Sequence, residues 1–331
     1  MTPQLLIEYL GWAIHNDFST LLTGAPGIGK SDIGFQGADL AGAELILSHP
    51  VVNDPTDYKG LPFPGDGKVA EFLPFGDLHR LIIADKRTVF FIDDLGQASI
   101  AVQAACMQLV LARRINEHVV SKHVNFIAAT NRPEDMAGVM KLIEPVKSRF
   151  TIMPVDVSVD DWLMWAADND IPAELMAFIK FRPKFLHDFK PTRELVNTPS
   201  PRTIASVGKK QTAGLPEKFE SEVFTGDAGD IFAAEYRGFL QLRRQLPDLD
   251  YIISNPSTAT VPIDPSLVYA VTTGLARKTS TRNIGSVCTY LSRVPDEYSV
   301  ACITEASRRD KAITHTSDYV NWAVQHQIVL N

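Results

Sequence analysis

Five short apolar runs punctuate the first half of the chain: Leu21–Leu22, Leu45–Leu47, Val89–Ile92, Phe126–Ala129 and Phe150–Met153. Each is bounded by Gly, Asp, Asn or another turn-prone residue and is too short for a helix, which suits buried parallel strands. Between the third and fourth runs, Ile100–Arg114 places Val102, Cys106, Leu109 and Val110 at helical spacing. Strands alternating with helices predict an α/β fold with a layered parallel sheet. After Pro154 the pattern turns helical. Val159–Asn169, Ile171–Arg182, Pro201–Lys210 and Lys218–Leu246 read as helices, the last broken at Thr225–Asp230. Asp248–Ser266 is rich in Pro, Ser and Asn and reads as a connector, with helix again beyond it. The expected organisation is an α/β core over 1–154, a helical region over 155–247 and a helical C-terminal region over 248–331.

Composition narrows the class. With 331 residues, 45% hydrophobic and 21% charged, the chain has the balance of a globular protein able to bury a sizeable core. The formal net charge is −7. The basic pairs Arg113–Arg114, Lys209–Lys210, Arg243–Arg244 and Arg308–Arg309 are scattered among acids, which disfavours a protein that coats nucleic acid. A local basic face remains open in an assembly. Cys106, Cys288 and Cys302 form neither a disulfide framework nor a zinc spacing, which predicts reduced thiols in a cytoplasmic setting. Met1–Leu10 lacks a signal-peptide pattern, and no apolar run approaches the ~20 residues of a membrane span.

The chemistry is concentrated in two segments. Gly24-Ala25-Pro26-Gly27-Ile28-Gly29-Lys30-Ser31 fits the phosphate-binding loop pattern in full, between an apolar strand and a helical stretch. Glycines let the backbone wrap phosphates with its N–H groups aimed inward, and the helix N-terminus adds positive potential. Lys30 supplies a point charge for the β- and γ-phosphates, and Ser31 a magnesium ligand. The run Val89–Ile92 ends in Asp93-Asp94, putting acid at the carboxyl end of a strand, where α/β sheets bind ligands. Asp93 is the natural magnesium partner; Asp94 is placed to polarise an attacking water.

Together with three further segments, these residues resemble the AAA+ ATPase superfamily and, within it, MoxR-type ATPases. Phe126–Asn131 is similar to the strand ending in the sensor-1 residue, so Asn131 is expected at the γ-phosphate or the lytic water. Lys147-Ser148-Arg149-Phe150 resembles the segment carrying an arginine finger, so Arg149 is expected to reach a neighbouring subunit's nucleotide. Ser200-Pro201-Arg202-Thr203 resembles the sensor-2 motif at the start of a lid helix, with Arg202 at the γ-phosphate. Asp57-Tyr58-Lys59-Gly60-Leu61-Pro62, Asp66–Val69 and Phe72–Phe75 resemble the MoxR insertion that faces a ring's pore, where Tyr58, Phe63 and Phe72 could contact a substrate. The likeness spans Leu5 to Gly208.

The resemblance implies a sheet order of 5-1-4-3-2, ATP and magnesium as cofactors, and a ring, expected to be a hexamer. It implies chaperone-like remodelling of a protein partner, often one with a von Willebrand factor A domain; the net charge of −7 argues against nucleic acid as the partner. A nucleic-acid-associated regulator or loader, and a nucleotide-gated scaffold that hydrolyses slowly, are the alternatives. Two features depart from the family. Asp94 stands where Glu is usual, and Ile115–His123 leaves room for only a small hairpin before the sensor-1 strand.

Overall fold

The structure is a computed structural model and describes residues 1–65, 70–135, 142–192 and 194–326. It divides into two compact units, Met1–Ala234 and Glu235–Asn331. The division falls inside a helix, Asp230–Gln245, where the sequence reading drew boundaries at Pro154 and at 247. Among the described residues no helix is long and apolar enough to cross a membrane.

The first unit opens with α1 (Pro3–His15), β1 (Thr20–Thr23), α2 (Lys30–Leu40) and β2 (Glu44–Ser48). A hairpin follows, β3 (Leu61–Pro64) with β4 (Ala70–Leu73), then α3 (Gly76–Ile83), β5 (Thr88–Ile92) and α4 (Ile100–Ala112). The small pair β6 (Arg114–Ile115) and β7 (His118–Val119) precedes β8 (Val124–Thr130), α5 (Glu144–Lys147) and β9 (Thr151–Pro154). Five strands form one parallel sheet in the order β2-β5-β8-β1-β9. Counting only those five strands along the chain and starting from β9, this is the expected 5-1-4-3-2.

Alternation along each strand divides its side chains between two cores. Leu21, Ile46, Phe90, Ile92, Phe126 and Ala128 pack on one face with residues of α3 and α4. Leu22, Val89, Phe91, Ile127 and Ala129 pack on the other with residues of α1 and α2. With both faces covered, β5 and β8 are buried along their whole length, which is why they read as continuous apolar runs. The fifth run, β9, corrects the expectation of a buried strand. It is an edge strand, and Ile152 is 46% exposed, because only β1 pairs with it.

Helices follow β9: α6 (Val159–Asp168), α7 (Ala173–Phe181), α8 (Pro201–Thr212), α9 (Glu220–Ala228) and α10 (Asp230–Gln245). The break expected within Thr225–Asp230 is present and narrows to Gly229, whose φ of 85° suits glycine, between the end of α9 at Ala228 and the start of α10 at Asp230. The second unit continues with α11 (Leu249–Ser254), α12 (Pro265–Lys278), α13 (Ile284–Leu291), α14 (Asp296–Arg309) and α15 (Ser317–Gln325). Helix α11 overturns part of the expected connector. The Asp248 carboxylate caps it by accepting from the Asp250 N–H, and Ile252 anchors it in the second unit's core.

Two expectations about the hairpins are also decided. The segment before β8 holds only the small β6–β7 pair, as its length foretold. In the insertion, Asp66–Val69 lies outside the described residues, Phe63 is exposed and Phe72 half-buried. Tyr58 is not available to a substrate. It is buried, and its hydroxyl bonds Ser48 Oγ at 2.7 Å and accepts from Asn53 Nδ2 at 2.8 Å.

The fit of α2 against the sheet sets a steric limit. A Cβ on Gly34 would lie 2.5 Å from Cε2 of Phe91, a ring with no exposed surface. Gly34→Ala should therefore cost about 1–3 kcal/mol by overpacking, and Phe91→Leu in the same chain should recover part of it. Denaturant midpoints check this; an unchanged midpoint for Gly34→Ala would contradict the packing.

Candidate nucleotide site

The strand order brings the site together. β8 lies between β1 and β5, so the residues that follow three neighbouring strands emerge side by side at the sheet's carboxyl edge. These are the 24–31 loop after β1, Asp93 and Asp94 after β5, and Asn131 after β8.

The loop turns on Gly27 and Gly29, with φ of 76° and 97°. Gly29 is the N-cap of α2, so the first N–H groups of that helix open into the loop. Ala25 and Ile28 anchor it in the apolar core against Val155. Lys30 is buried, yet all three of its ammonium protons have an acceptor. They go to the Gly24 and Ala25 carbonyls, both at 2.9 Å, and to Asn131 Oδ1 at 2.7 Å. Burial pulls its pKa down from 10.5 to about 8, against the opposing pull of Asp94 and Asp93.

The acidic residues divide in role. Ser31 Oγ donates to Asp93 Oδ2 at 2.6 Å, while Asp93 Oδ1 accepts from the Asp94 N–H at 3.0 Å. Asp94 sits in the left-handed region, φ 54° and ψ 35°, a conformation aspartate tolerates better than most residues. Its Oδ1 accepts from Asn131 Nδ2 at 3.2 Å. Burial and the Asp93 charge raise its pKa, with Lys30, Arg202 and His49 acting in the other direction. Asn131 thus bridges the lysine and the second aspartate, oxygen to one and nitrogen to the other.

The start of α8 closes on the loop. The Arg202 N–H donates to the Gly27 carbonyl at 2.9 Å. A Cβ on Gly27 would meet Ser200 Oγ at 2.7 Å, so the third residue after Gly24 has to be small. Ser200 caps α8 in a reciprocal box with Thr203, and Pro201 occupies the first turn. The Arg202 guanidinium is near enough to act electrostatically on both Lys30 and Asp94. Arg149 stands apart. It is exposed, just past α5, and makes no side-chain hydrogen bond or ion pair among the described residues.

One part of the site escaped the sequence reading. Arg132 and Asp135 form a two-pronged pair, Nε to Oδ2 and Nη2 to Oδ1, both 3.0 Å, and Asp135 Oδ2 also accepts the Arg132 N–H. Asp135 is buried, so the pair pins the turn that presents Asn131. The spacing Arg-Pro-Glu-Asp is its only sequence signal.

Ser31 and Asp93 offer an alcohol and a carboxylate. Among the described residues no group of three or more His, Cys, Asp or Glu is placed to hold a metal. Such a sparse, hard-oxygen set fits magnesium that arrives with phosphates and keeps waters, and does not fit a dedicated protein cage.

The sheet order, the loop and the acids at the neighbouring strand ends define a P-loop α/β core of AAA+ architecture, followed by helices. No protein-family model matches the chain, and neither does any curated protein. Solved structures to which it is similar include a RuvB variant from Thermotoga maritima at 17% identity, covering 88% of this chain and 85% of that one with a TM-score of 0.41. Another is the Thermotoga maritima RuvB described as a Holliday junction branch migration motor, at 15% identity, 97% and 87% coverage and a TM-score of 0.36. A third is NtrX from Brucella abortus in complex with ADP, at 12% identity, 99% and 67% coverage and a TM-score of 0.42.

The buried lysine gives a pH signature. With its folded pKa near 8 and its unfolded value near 10.5, the unfolded chain binds more protons between those limits. Lys30's contribution to stability therefore rises as pH increases through that window. Phosphate oxygens reverse the shift, so triphosphate binding at pH 8 should take up about half a proton. Calorimetric titration at pH 8 in buffers of different ionisation enthalpy should give buffer-dependent heats. Identical heats would contradict it.

Proposed function

We propose that this chain is an ATP-binding and ATP-hydrolysing AAA+ protein of the MoxR type, assembling into a ring and remodelling a protein partner. The observation that carries the catalytic part is the bridge from Lys30 through Asn131 to Asp94, set beside the Ser31–Asp93 pair. In this reading the loop 24–31 cradles the phosphates with its N–H groups. Lys30 exchanges its carbonyl acceptors for phosphate oxygens, which are better partners for an ammonium. Ser31 and Asp93 hold magnesium, which neutralises phosphate charge when bound. Asn131 and Asp94 are then left to orient the attacking water, and Arg202 brings the start of α8 onto the γ-phosphate.

Arg149 is assigned in trans. Its exposed position, and the absence of an ion pair to it among the described residues, suit a guanidinium that serves a neighbouring subunit. That role requires an oligomer, and a hexameric ring in the cytoplasm is the form proposed. The exposed side chains of Leu61, Phe63 and Leu73 on the β3–β4 hairpin support a polypeptide as the remodelled partner. A partner carrying a von Willebrand factor A domain is the proposal that follows from the family likeness. Asp94 supports a second reading, a nucleotide-gated scaffold with slow hydrolysis. Its side chain is one methylene shorter than glutamate and already engaged by Asn131.

Complementation tests the shared site. Lys30→Ala should bind ATP far more weakly than the parent. Arg149→Ala should bind it normally but hydrolyse it on the order of 10³-fold more slowly. Mixing the two under conditions of subunit exchange should recover activity, because some sites then join an intact cradle to an intact finger. Mixtures that exchange subunits and stay inactive would refute the assignment of Arg149.

A further inference from the structure

The electrostatics of the second unit differ from those of the first. Lys and Arg number ten between residues 235 and 331 against nine Asp and Glu, while residues 1 to 234 hold 22 against 30. The cations of the second unit also gather. α12 and α14 pack through Val268, Val271 and Leu275 and through Cys302, Ile303 and Ala306, all in one core. Their carboxyl ends are tied together, since the Arg309 guanidinium donates to the Thr279 carbonyl. The turn from α12 to α13 is closed by Ser280 N–H to Asn283 Oδ1 at 2.7 Å and by Asn283 Nδ2 to the Lys278 carbonyl at 3.0 Å.

That geometry brings Arg277, Lys278, Arg282, Arg308, Arg309 and Lys311 to one end of the bundle, all exposed. Lys278 is neutralised by Asp250 at 2.6 Å. Arg309 is bonded to an uncharged carbonyl. Arg277, Arg282, Arg308 and Lys311 make no ion pair among the described residues. Asp310, the acid within the set, caps the Ala312 N–H at 3.0 Å. Basic residues at helix carboxyl ends are common because they offset the helix dipole. Two such ends account for only about half a charge each, which leaves most of five cations uncompensated.

We propose that this end of the C-terminal unit is a contact surface for the phosphate backbone of nucleic acid, gripping it without reading sequence. The five unpaired cations comprise four arginines and one lysine, and the planar guanidinium fork matches phosphate oxygens in pairs. Charge density favours nucleic acid over an acidic polypeptide. Two packed helices and a turn span roughly 20 Å, over which a duplex presents about one charge per 1.7 Å of axis. The surface lies outside the nucleotide site and does not depend on its assignment. It gives a protein remodeller a tether, with an affinity set by salt.

Fluorescence anisotropy of the full-length protein with a labelled duplex, titrated from 50 to 200 mM salt, tests this. Five phosphate contacts per chain predict a slope of log K against log salt near −4.5, at about −0.9 per contact. The variant Arg282→Ala/Arg308→Ala/Lys311→Ala should flatten the slope by about 2.7, and Arg282→Ala alone by about 0.9. The helical circular-dichroism spectrum and the thermal midpoint should be unchanged in both, confirming that the chain is folded. Removing three exposed cations of the first unit, Lys122, Lys180 and Lys218, should leave the slope as it was. The proposal is overturned by absence of binding at 50 mM salt, by an unaltered slope in the triple variant, or by the first-unit control losing as much. Competition by polyglutamate as effective as that by unlabelled duplex would also overturn it, in favour of an acidic protein partner.

Discussion

The site depends on keeping one ammonium ion charged inside the protein. Burying an unpaired charge is costly enough that a lysine left alone would lose its proton. Lys30 stays available because two loop carbonyls and the Asn131 amide oxygen surround it. That arrangement imposes the rest. The carbonyls point inward only if the loop turns through Gly27 and Gly29 in conformations that side chains resist. Asn131 reaches the lysine only if β8 lies beside β1, and reaches Asp94 only if β5 lies beside β8. The strand order is therefore a requirement of the site, and the two apolar cores serve to hold three strand ends in register.

Asn131 is the pivot of this arrangement. Its oxygen is committed to a cation and its nitrogen to a carboxylate, so any anion that draws Lys30 away also releases one half of the amide. The Arg132–Asp135 pair fixes the turn that carries it, leaving the amide as the part able to respond. Asp94 reaches this amide through a left-handed backbone, which turns a short side chain toward its partner. The geometry thereby couples the 24–31 loop, through Lys30 and Asn131, to the orientation of the Asp94 carboxylate.

Much of this was legible in the sequence. The 24–31 loop, the paired aspartates and the Asn after the Phe126–Ala129 run could be assigned because each needs only a local pattern, and all five strands were found from apolar runs alone. What escaped depends on neighbours distant in sequence. Tyr58 looks like an exposed aromatic in a Gly- and Pro-rich loop until Ser48 and Asn53 close on its hydroxyl. Strand β9 reads as a buried run, but its place at the sheet edge is a property of topology. Helix α11 is six residues long, too short for periodicity to reveal. The basic end of the second unit was invisible in a net charge of −7, because its members come from two stretches of chain, 277–282 and 308–311, that meet only when folded.

The central claim is that Asp94, held by Asn131, acts in hydrolysis and not in nucleotide binding. Asp94→Asn tests it most directly, since the change removes the charge at nearly constant shape. Measured side by side, the variant's ATP affinity and its single-turnover hydrolysis rate should part company. The account predicts affinity within a few-fold of the parent and a hydrolysis rate lowered by about 10² or more, the scale set by losing a water-positioning group. A variant that hydrolyses ATP as fast as the parent would contradict the account and leave Asp94 without a catalytic role.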